Sequence, residues 1–242
     1  MNLKEAAARQ ALTYVQDDML LGLGSGSTVA FFIRLLGESW QRHEIKGIQL
    51  VPTSQASARL AASFGLPLSS LKDLDHLDLA VDGADEVDPN LNLIKGLGLA
   101  LLREKIVEIH AQRFVVIVDE SKLVPRLGRG PLPVEILPFE FEAHLRWLNS
   151  LDCRAELWRD ETGKALLTDN GNYICRCWFE DGIHNLARTS WLLNERPGII
   201  EHGLFINMAD EVLVAGANGM KRLLKDAESG LVSETLLDGQ LA

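Results

Sequence analysis

The 242-residue sequence predicts an α/β protein, a doubly wound and mostly parallel sheet carrying a smaller inserted α+β domain. Three observations carry that expectation. In the first half, short apolar runs alternate with stretches whose apolar residues recur at helical spacing, the pattern of βαβ units. The proline-rich segment Gly128–Pro138 then interrupts this pattern, and hairpin-like runs separated by turn-forming residues follow it. Finally, the apolar run Glu211–Ala215 returns to the style of the first half and is expected to rejoin the first sheet.

In chain order, strands are expected at Met19–Leu23, Ile48–Val51, Leu77–Val81 and Phe114–Val118. Helices are expected between them at Ser27–Leu36, Ser54–Phe64 and Leu99–His110, each with a serine, threonine or glycine suited to a helix start. Pro131, Pro133 and Pro138 are too dense for a helix interior or a central strand, so Gly128–Pro138 reads as a domain crossover. A helix near Phe141–Asn149 is followed by strands near Ala155–Trp158, Ala165–Leu167 and Tyr173–Trp178, with turns at Asp160–Lys164 and Asp169–Asn172. Another helix is expected near Ile183–Leu193, and the polar tail from Asp226 is expected to be lightly docked or poorly ordered. The resulting division is a sheet domain, residues 1–130 plus 205–242, and a smaller domain, residues 131–204.

A hydrophobic content of 47% is enough for a substantial core. The formal net charge of −10, without long like-charge runs, argues against nucleic acid or an anionic membrane as the main partner. Met1–Glu5 lacks the character of a secretory signal and no apolar run is long enough to span a bilayer, so the cytoplasm is the expected compartment. Cys153, Cys175 and Cys177 form neither a disulfide framework nor a zinc pattern; Cys175 and Cys177, two apart, read as packing residues on one strand face.

Three segments carry chemistry. Gly22-Leu-Gly-Ser25-Gly26-Ser27-Thr28 lies where the first strand passes into the first helix, and suits a phosphate held by backbone N–H groups and hydroxyls. It is not the dinucleotide fingerprint, because the third glycine position is Ser27 and the second strand ends in Val51-Pro52-Thr53-Ser54 with no acid to hold a ribose. Asp82-Gly83-Ala84-Asp85-Glu86 falls just beyond the third strand, where open α/β sheets bind ligands. Lys95-Gly96-Leu97-Gly98 leads into a helix bearing Arg103-Glu104-Lys105, from which Lys95 and Glu104 can reach the same cleft. Taken singly, each has a plain alternative: a capped turn, a solvated acidic turn, a surface glutamate. Their convergence on one sheet edge favours a site. The histidines are scattered without ligand spacing, so metal-independent chemistry with no cofactor is expected.

These segments, together with Pro131-Leu-Pro-Val-Glu135, Thr168-Asp-Asn-Gly-Asn172 and Gly203-Leu-Phe205, resemble the ribose-5-phosphate isomerase A family in identity, order and spacing from about Lys4 to Gly216. The resemblance implies a Rossmann-like catalytic domain that interconverts D-ribose 5-phosphate and D-ribulose 5-phosphate through an enediolate, in the non-oxidative pentose phosphate pathway. It implies that Glu104 is the base, Asp82 and Asp85 contact the sugar, and Lys95 stabilises the intermediate. Ser25, Gly26, Ser27 and Thr28 match the phosphate loop; Gly83, Ala84, Gly96, Leu97 and Gly98 line the substrate; and Lys122 and Lys4 add cationic contacts. Leu97, Leu99 and Leu102 depart from smaller or polar residues common in relatives. A homodimer is the expected assembly. The competing readings are a sugar-phosphate-sensing module on the same fold, which would need no base, and a deaminase or acyl-transferring relative, whose motifs would differ.

Overall fold

A computed structural model describes residues 2–237. The chain opens with α1 (Leu3–Leu12), capped by the Asn2 side chain and burying Ala7, Ala8 and Ala11, where small side chains allow close approach to the sheet. Next come β1 (Leu20–Leu23), α2 (Ser27–Gln41), β2 (Gln49–Pro52), α3 (Gln55–Ser63) and β3 (Leu79–Asp82). In α2 the buried Val29, Phe32, Ile33 and Leu36 recur at helical spacing, which is the stripe that packs on the sheet. The short strands β4 (Glu86–Val87) and β5 (Leu93–Ile94) precede α4 (Leu101–Glu108) and β6 (Phe114–Asp119). There follow β7 (Leu132–Ile136), α5 (Phe141–Leu148), β8 (Arg154–Leu157), β9 (Tyr173–Trp178), α6 (Leu186–Asn194), β10 (Ile199–His202) and β11 (Leu204–Phe205). The described chain ends with β12 (Glu211–Gly216), β13 (Gly219–Lys225) and β14 (Val232–Leu237).

The main sheet has the order β14-β13-β12-β6-β3-β1-β2, with β12, β6, β3, β1 and β2 parallel. From β1 the chain steps outward to β2 and then crosses to β3 on the other side of β1. The strand order therefore reverses between β1 and β3, and the loops leaving these two strands flank the crevice where such sheets take ligands. A four-stranded antiparallel sheet, β10-β7-β9-β8, is drawn from Leu132–His202, and a three-stranded one is ordered β11-β5-β4.

The α/β expectation holds, with corrections. Gly128–Pro138 contains β7, an inner strand, despite Pro133. Pro133 accepts from the Gly203 N–H, and because a residue's N and C=O point to the same side of a strand, its donor-free nitrogen faces the side on which β10 has already ended at His202. The Gly203 carbonyl, which would face a donor at this position, takes the Lys95 N–H instead, so the missing donor leaves no acceptor unpaired. Ala165–Leu167 makes only isolated bridges, to Arg159 and Tyr173. The tail is not lightly docked: Asp226 caps a turn, and β14 adds to β13 through six register pairs. Most of its side chains, Leu236 included, are exposed, because an edge strand is held by the backbone ladder. Residues 238–242, also part of that expectation, lie outside the described residues. The third predicted helix, Leu99–His110, is two residues shorter at each end; at its start, Leu99 has φ +63° and the helix begins only after Ala100.

The fully buried Glu211 at the start of β12 joins α1 to the sheet: it takes the Tyr14 hydroxyl at 2.5 Å, the Arg222 guanidinium at 3.0 Å and the Arg113 guanidinium. Burial, then this carboxylate, pushes the Tyr14 phenol up to about 12. Tyr14→Phe is expected to lower the unfolding free energy by about 1.5–3 kcal/mol, the range for a hydrogen bond to a charged group, in urea denaturation. A change within error would show that the guanidinium contacts alone hold this corner.

Candidate active site

The loop after β1 is shaped by close approach. A Cβ on Gly24 would stand 2.0 Å from Asp82 Cγ, so only glycine lets the loop pass the end of β3. Gly26, at φ +100°, precedes α2 and offers no side-chain cap, leaving first-turn N–H groups free to hold an anion. Behind the loop, Ser25 Oγ contacts Thr53 Oγ1 at 2.7 Å and Ser54 Oγ at 2.7 Å, and Ser57 Oγ donates to the Gly24 carbonyl at 2.6 Å. On its outer side Lys4, carried in by α1, donates from Nζ to Ser27 Oγ at 2.9 Å.

The loop after β3 is centred on charge. Asp82 is the last residue of the strand rather than a loop residue, and is 1% exposed. Its Oδ1 accepts from the Ser25 N–H at 3.0 Å and the Gly83 N–H at 2.6 Å, while its Oδ2 lies 2.9 Å from Lys95 Nζ. Lys95 follows β5 and is anchored by its own N–H to the Gly203 carbonyl. Its ammonium directs a hydrogen bond to the Gly83 carbonyl at 2.6 Å and stands 3.5 Å from Glu104 Oε2 and 3.3 Å from Glu108 Oε1, both on α4. Burial pulls the ammonium's pKa down, but Asp82, Glu104 and Glu108 outweigh it, so Lys95 stays charged. For Glu104 burial dominates over the attraction of Lys95, and its carboxyl is pushed up to about 8. Asp85 is also raised by burial; its Oδ2 accepts from the Leu97 N–H at 2.9 Å.

These side chains close a cavity of about 110 Å³ lined by Ser25–Thr28, Gly83–Asp85, Lys95, Gly96, Gly98 and Glu104, with Lys4 and Lys122 at its cationic side. Nearly every site residue read from the sequence is thus brought together. Asp82 lies behind the lining, and the Leu97 side chain points away at 36% exposure, contributing only its N–H. Glu108 and the hydroxyls of Thr53, Ser54 and Ser57 were not read as site residues. The available signals were the four-residue spacing from Glu104 and the polar end of the second strand. Among the described residues no group of three or more histidines, cysteines and carboxylates is placed to hold a metal ion; where three carboxylates do converge, an ammonium stands between them.

The remaining motifs act as braces. Glu135 Oε1 accepts from Thr168 Oγ1 at 2.9 Å and Asn172 Nδ2 at 2.8 Å, fixing the 168–172 turn. Arg103 Nε donates to Asn170 Oδ1 at 2.8 Å, and Asp169 Oδ2 accepts the Gln55 N–H at 2.7 Å, so this turn ties α4 to α3. Glu86 accepts the N–H groups of Gly128, Arg129 and Gly130, holding the lead into β7.

Known proteins resemble this chain over nearly its whole length. A family model described as ribose 5-phosphate isomerase A (phosphoriboisomerase A) matches residues 49–219. The chain is 46% identical to a ribose-5-phosphate isomerase A of Pyrococcus horikoshii over 224 residues, covering 91% of this chain and 97% of that one. It is 47% identical to the Nitrobacter hamburgensis protein of the same name, covering 90% and 96%. Among solved structures, a D-ribose-5-phosphate isomerase in complex with phospho-erythronic acid superposes with TM-score 0.89 at 45% identity, over 93% of this chain and all of that one. The Plasmodium falciparum ribose 5-phosphate isomerase gives 0.87 at 33% identity, over 98% and 99%.

Gly24→Ala tests the close approach at the centre of the site. The methyl must displace the buried Asp82 carboxylate, and the expected loss is about 1–3 kcal/mol of unfolding free energy, the cost of overpacking. Unchanged stability would show that the carboxylate yields freely.

Proposed function

Because this chain belongs to the ribose-5-phosphate isomerase A family, and is an aldose–ketose isomerase interconverting ribose 5-phosphate and ribulose 5-phosphate, we propose that Glu104 is the base that moves the proton. The observation that carries the reading is a single one: a buried glutamate with a raised pKa lines the cavity 3.5 Å from a buried ammonium, opposite an uncapped helix start.

The chemistry follows from that arrangement. With the phosphate at the α2 N-terminus and Lys4 and Lys122 beside it, the far end of an open-chain pentose reaches Glu104. Ionised Glu104 takes the proton from C2 of the aldose, and the electron pair moves to the carbonyl, giving an enediolate; returning the same proton to C1 gives the ketose. Lys95 supplies positive charge where the oxyanion develops. Ring opening and the proton transfer between O1 and O2 fall to the Asp82–Lys95 pair, because Asp82 reaches the cavity only along Lys95. Asp85, on the lining, holds the sugar hydroxyls. A sensing module would need the phosphate loop but not a buried Glu104 and Lys95.

We further propose a cytoplasmic homodimer. No helix among the described residues is long and apolar enough to cross a membrane, and the exposed Phe139 and Trp191 are apolar surface that a second copy can cover.

Glu104→Gln keeps the size of the side chain but removes the basic carboxylate. Turnover is expected to fall by at least about a hundredfold, while ribose 5-phosphate binds within roughly tenfold of the parent, about 1.4 kcal/mol. Near-normal turnover would remove Glu104 from the mechanism. The pH profile gives an independent check, because the base must be ionised. A carboxyl raised to about 8 places the acidic limb of kcat/KM near that value, with activity lost as pH falls through it. A limb at an ordinary glutamate value, near about 4.3, contradicts the assignment.

A further inference from the structure

Glu108 is a buried acid that the mechanism above does not use. It stands one helical turn beyond Glu104, 3% exposed, with one oxygen 3.3 Å from Lys95 Nζ and neither oxygen engaged in a directed hydrogen bond. Asp82 Oδ2, 2.9 Å from the same ammonium, also lacks one. Asp82, Glu104 and Glu108 thus surround one ammonium in a buried setting. Were all three ionised, the cluster would carry a net charge of −2 with no further cation to offset it. Lys105, the other cation facing Glu108 on α4, is committed to Glu201 at 2.6 Å and to the His202 carbonyl on β10. His202 itself is held neutral by burial, its pKa pushed down to about 3. Asp85 adds only another acid. Uncompensated buried charge of this kind is relieved by binding a proton.

The proton has one best place. Asp82 accepts two backbone N–H groups, which favour its anion. Glu104 lines the cavity and must exchange its proton there. Glu108 has neither backbone donors nor access to the cavity. We propose that Glu108 is a positioning residue of this isomerase, standing as the neutral acid, donating a hydrogen bond to Asp82 Oδ2 and turning its carbonyl to Lys95. One O–H then engages a buried oxygen on each of the two carboxyl groups, and fixes the Lys95 ammonium against Asp82 without adding negative charge beside Glu104. Burial, with the Asp82 hydrogen bond contributing, pushes the Glu108 carboxyl well above the usual carboxylate range, in the same direction.

The inference deepens the assignment of Glu104 and is tested with three variants. Glu108→Leu fills the volume but donates nothing, and kcat is expected to fall at least about tenfold with KM little changed, since the ammonium acts on the transition state. In Glu108→Gln the amide N–H replaces the acid O–H and its carbonyl still faces Lys95. This variant is expected to recover kcat to within about threefold of the parent and to leave the acidic limb of kcat/KM in place. Were Glu108 ionised, Glu108→Gln would delete a negative charge near Glu104 and move that limb to lower pH by about one unit or more, overturning the proposal. Parent-like turnover in Glu108→Leu would also overturn it. A direct readout does not depend on how well Glu108→Leu folds. The infrared carbonyl stretch of a neutral carboxylic acid should persist in the parent above the pH where Glu104 titrates, and vanish in Glu108→Gln. Absence of that band from the parent overturns the proposal. The same band measured in Glu104→Gln separates the two readings: an active Glu104→Gln that keeps the band fails the base, and an inactive one without it fails Glu108 alone.

Discussion

The structure is organised around a buried ammonium. Lys95 is 2% exposed, and a cation so placed is tolerated only if its partners are fixed before substrate arrives. Each partner comes from a different part of the chain: Asp82 from the end of β3, Gly83 from the loop after it, Glu104 and Glu108 from successive turns of α4. Phe205 on β11 presents its ring 5.5 Å from the same ammonium. Asp82 Oδ2, 2.9 Å away, is the nearest counter-charge to that ammonium, and removing it would leave the cation poorly paired in a low-dielectric interior, so β3, β11 and α4 are held in register around one charge. The same charge stabilises the developing oxyanion, and it needs no reorganisation when the reaction occurs.

The main sheet supplies the other half of the arrangement. The reversal of strand order between β1 and β3 opens a crevice without any special side chain, and the loops leaving these strands fall on either side of it. Asp82 couples the halves, since one carboxylate oxygen orders Ser25 in the phosphate loop and the other faces Lys95. Gly24 is what allows them to lie so close. Phosphate binding and proton transfer are thereby served by one rigid unit, and a substrate anchored at its phosphate presents its far carbons to Glu104 at a fixed distance.

Much of this was legible in the sequence, because the site is built from short contiguous segments on consecutive βα units. The parallel strands showed as apolar runs, and the loops after them carried the glycines and acids. What escaped the sequence depends on contacts between distant segments. Pro133 argued against a central strand, yet only the end of β10 beside it decides whether its missing donor matters. The chain from Asp226 looked like a loose tail because it opens on the mostly polar run Asp226–Ser229; an edge strand needs a partner ladder, which periodicity cannot reveal. Glu108 looked like any helix glutamate, since nothing local says that β3, β10 and the chain after β5 close over it.

Leu99 shows how a locally unfavourable residue serves the whole. It holds φ +63°, a conformation that costs a branched L-residue about 1–2 kcal/mol. The return for this is position: the Leu99 N–H bonds the Gly96 carbonyl, closing the turn, and the helix begins only after Ala100. A start two residues earlier would draw the turn beside Lys95 into the helix, removing the Leu97 N–H from Asp85 and turning Gly96 away from Leu101, whose side chain packs where a Cβ on Gly96 would lie. Delaying the helix makes Glu104 the fourth residue of α4, where its own N–H bonds the Ala100 carbonyl and its carboxyl points to Lys95. The apolar side chain that bears the strain packs half-buried against the core beside Leu101, which offsets part of its cost. The departure from smaller residues at this position is therefore compatible with an aligned base, because the turn depends on the backbone conformation of Leu99 while its side chain packs against the core and outside the cavity lining.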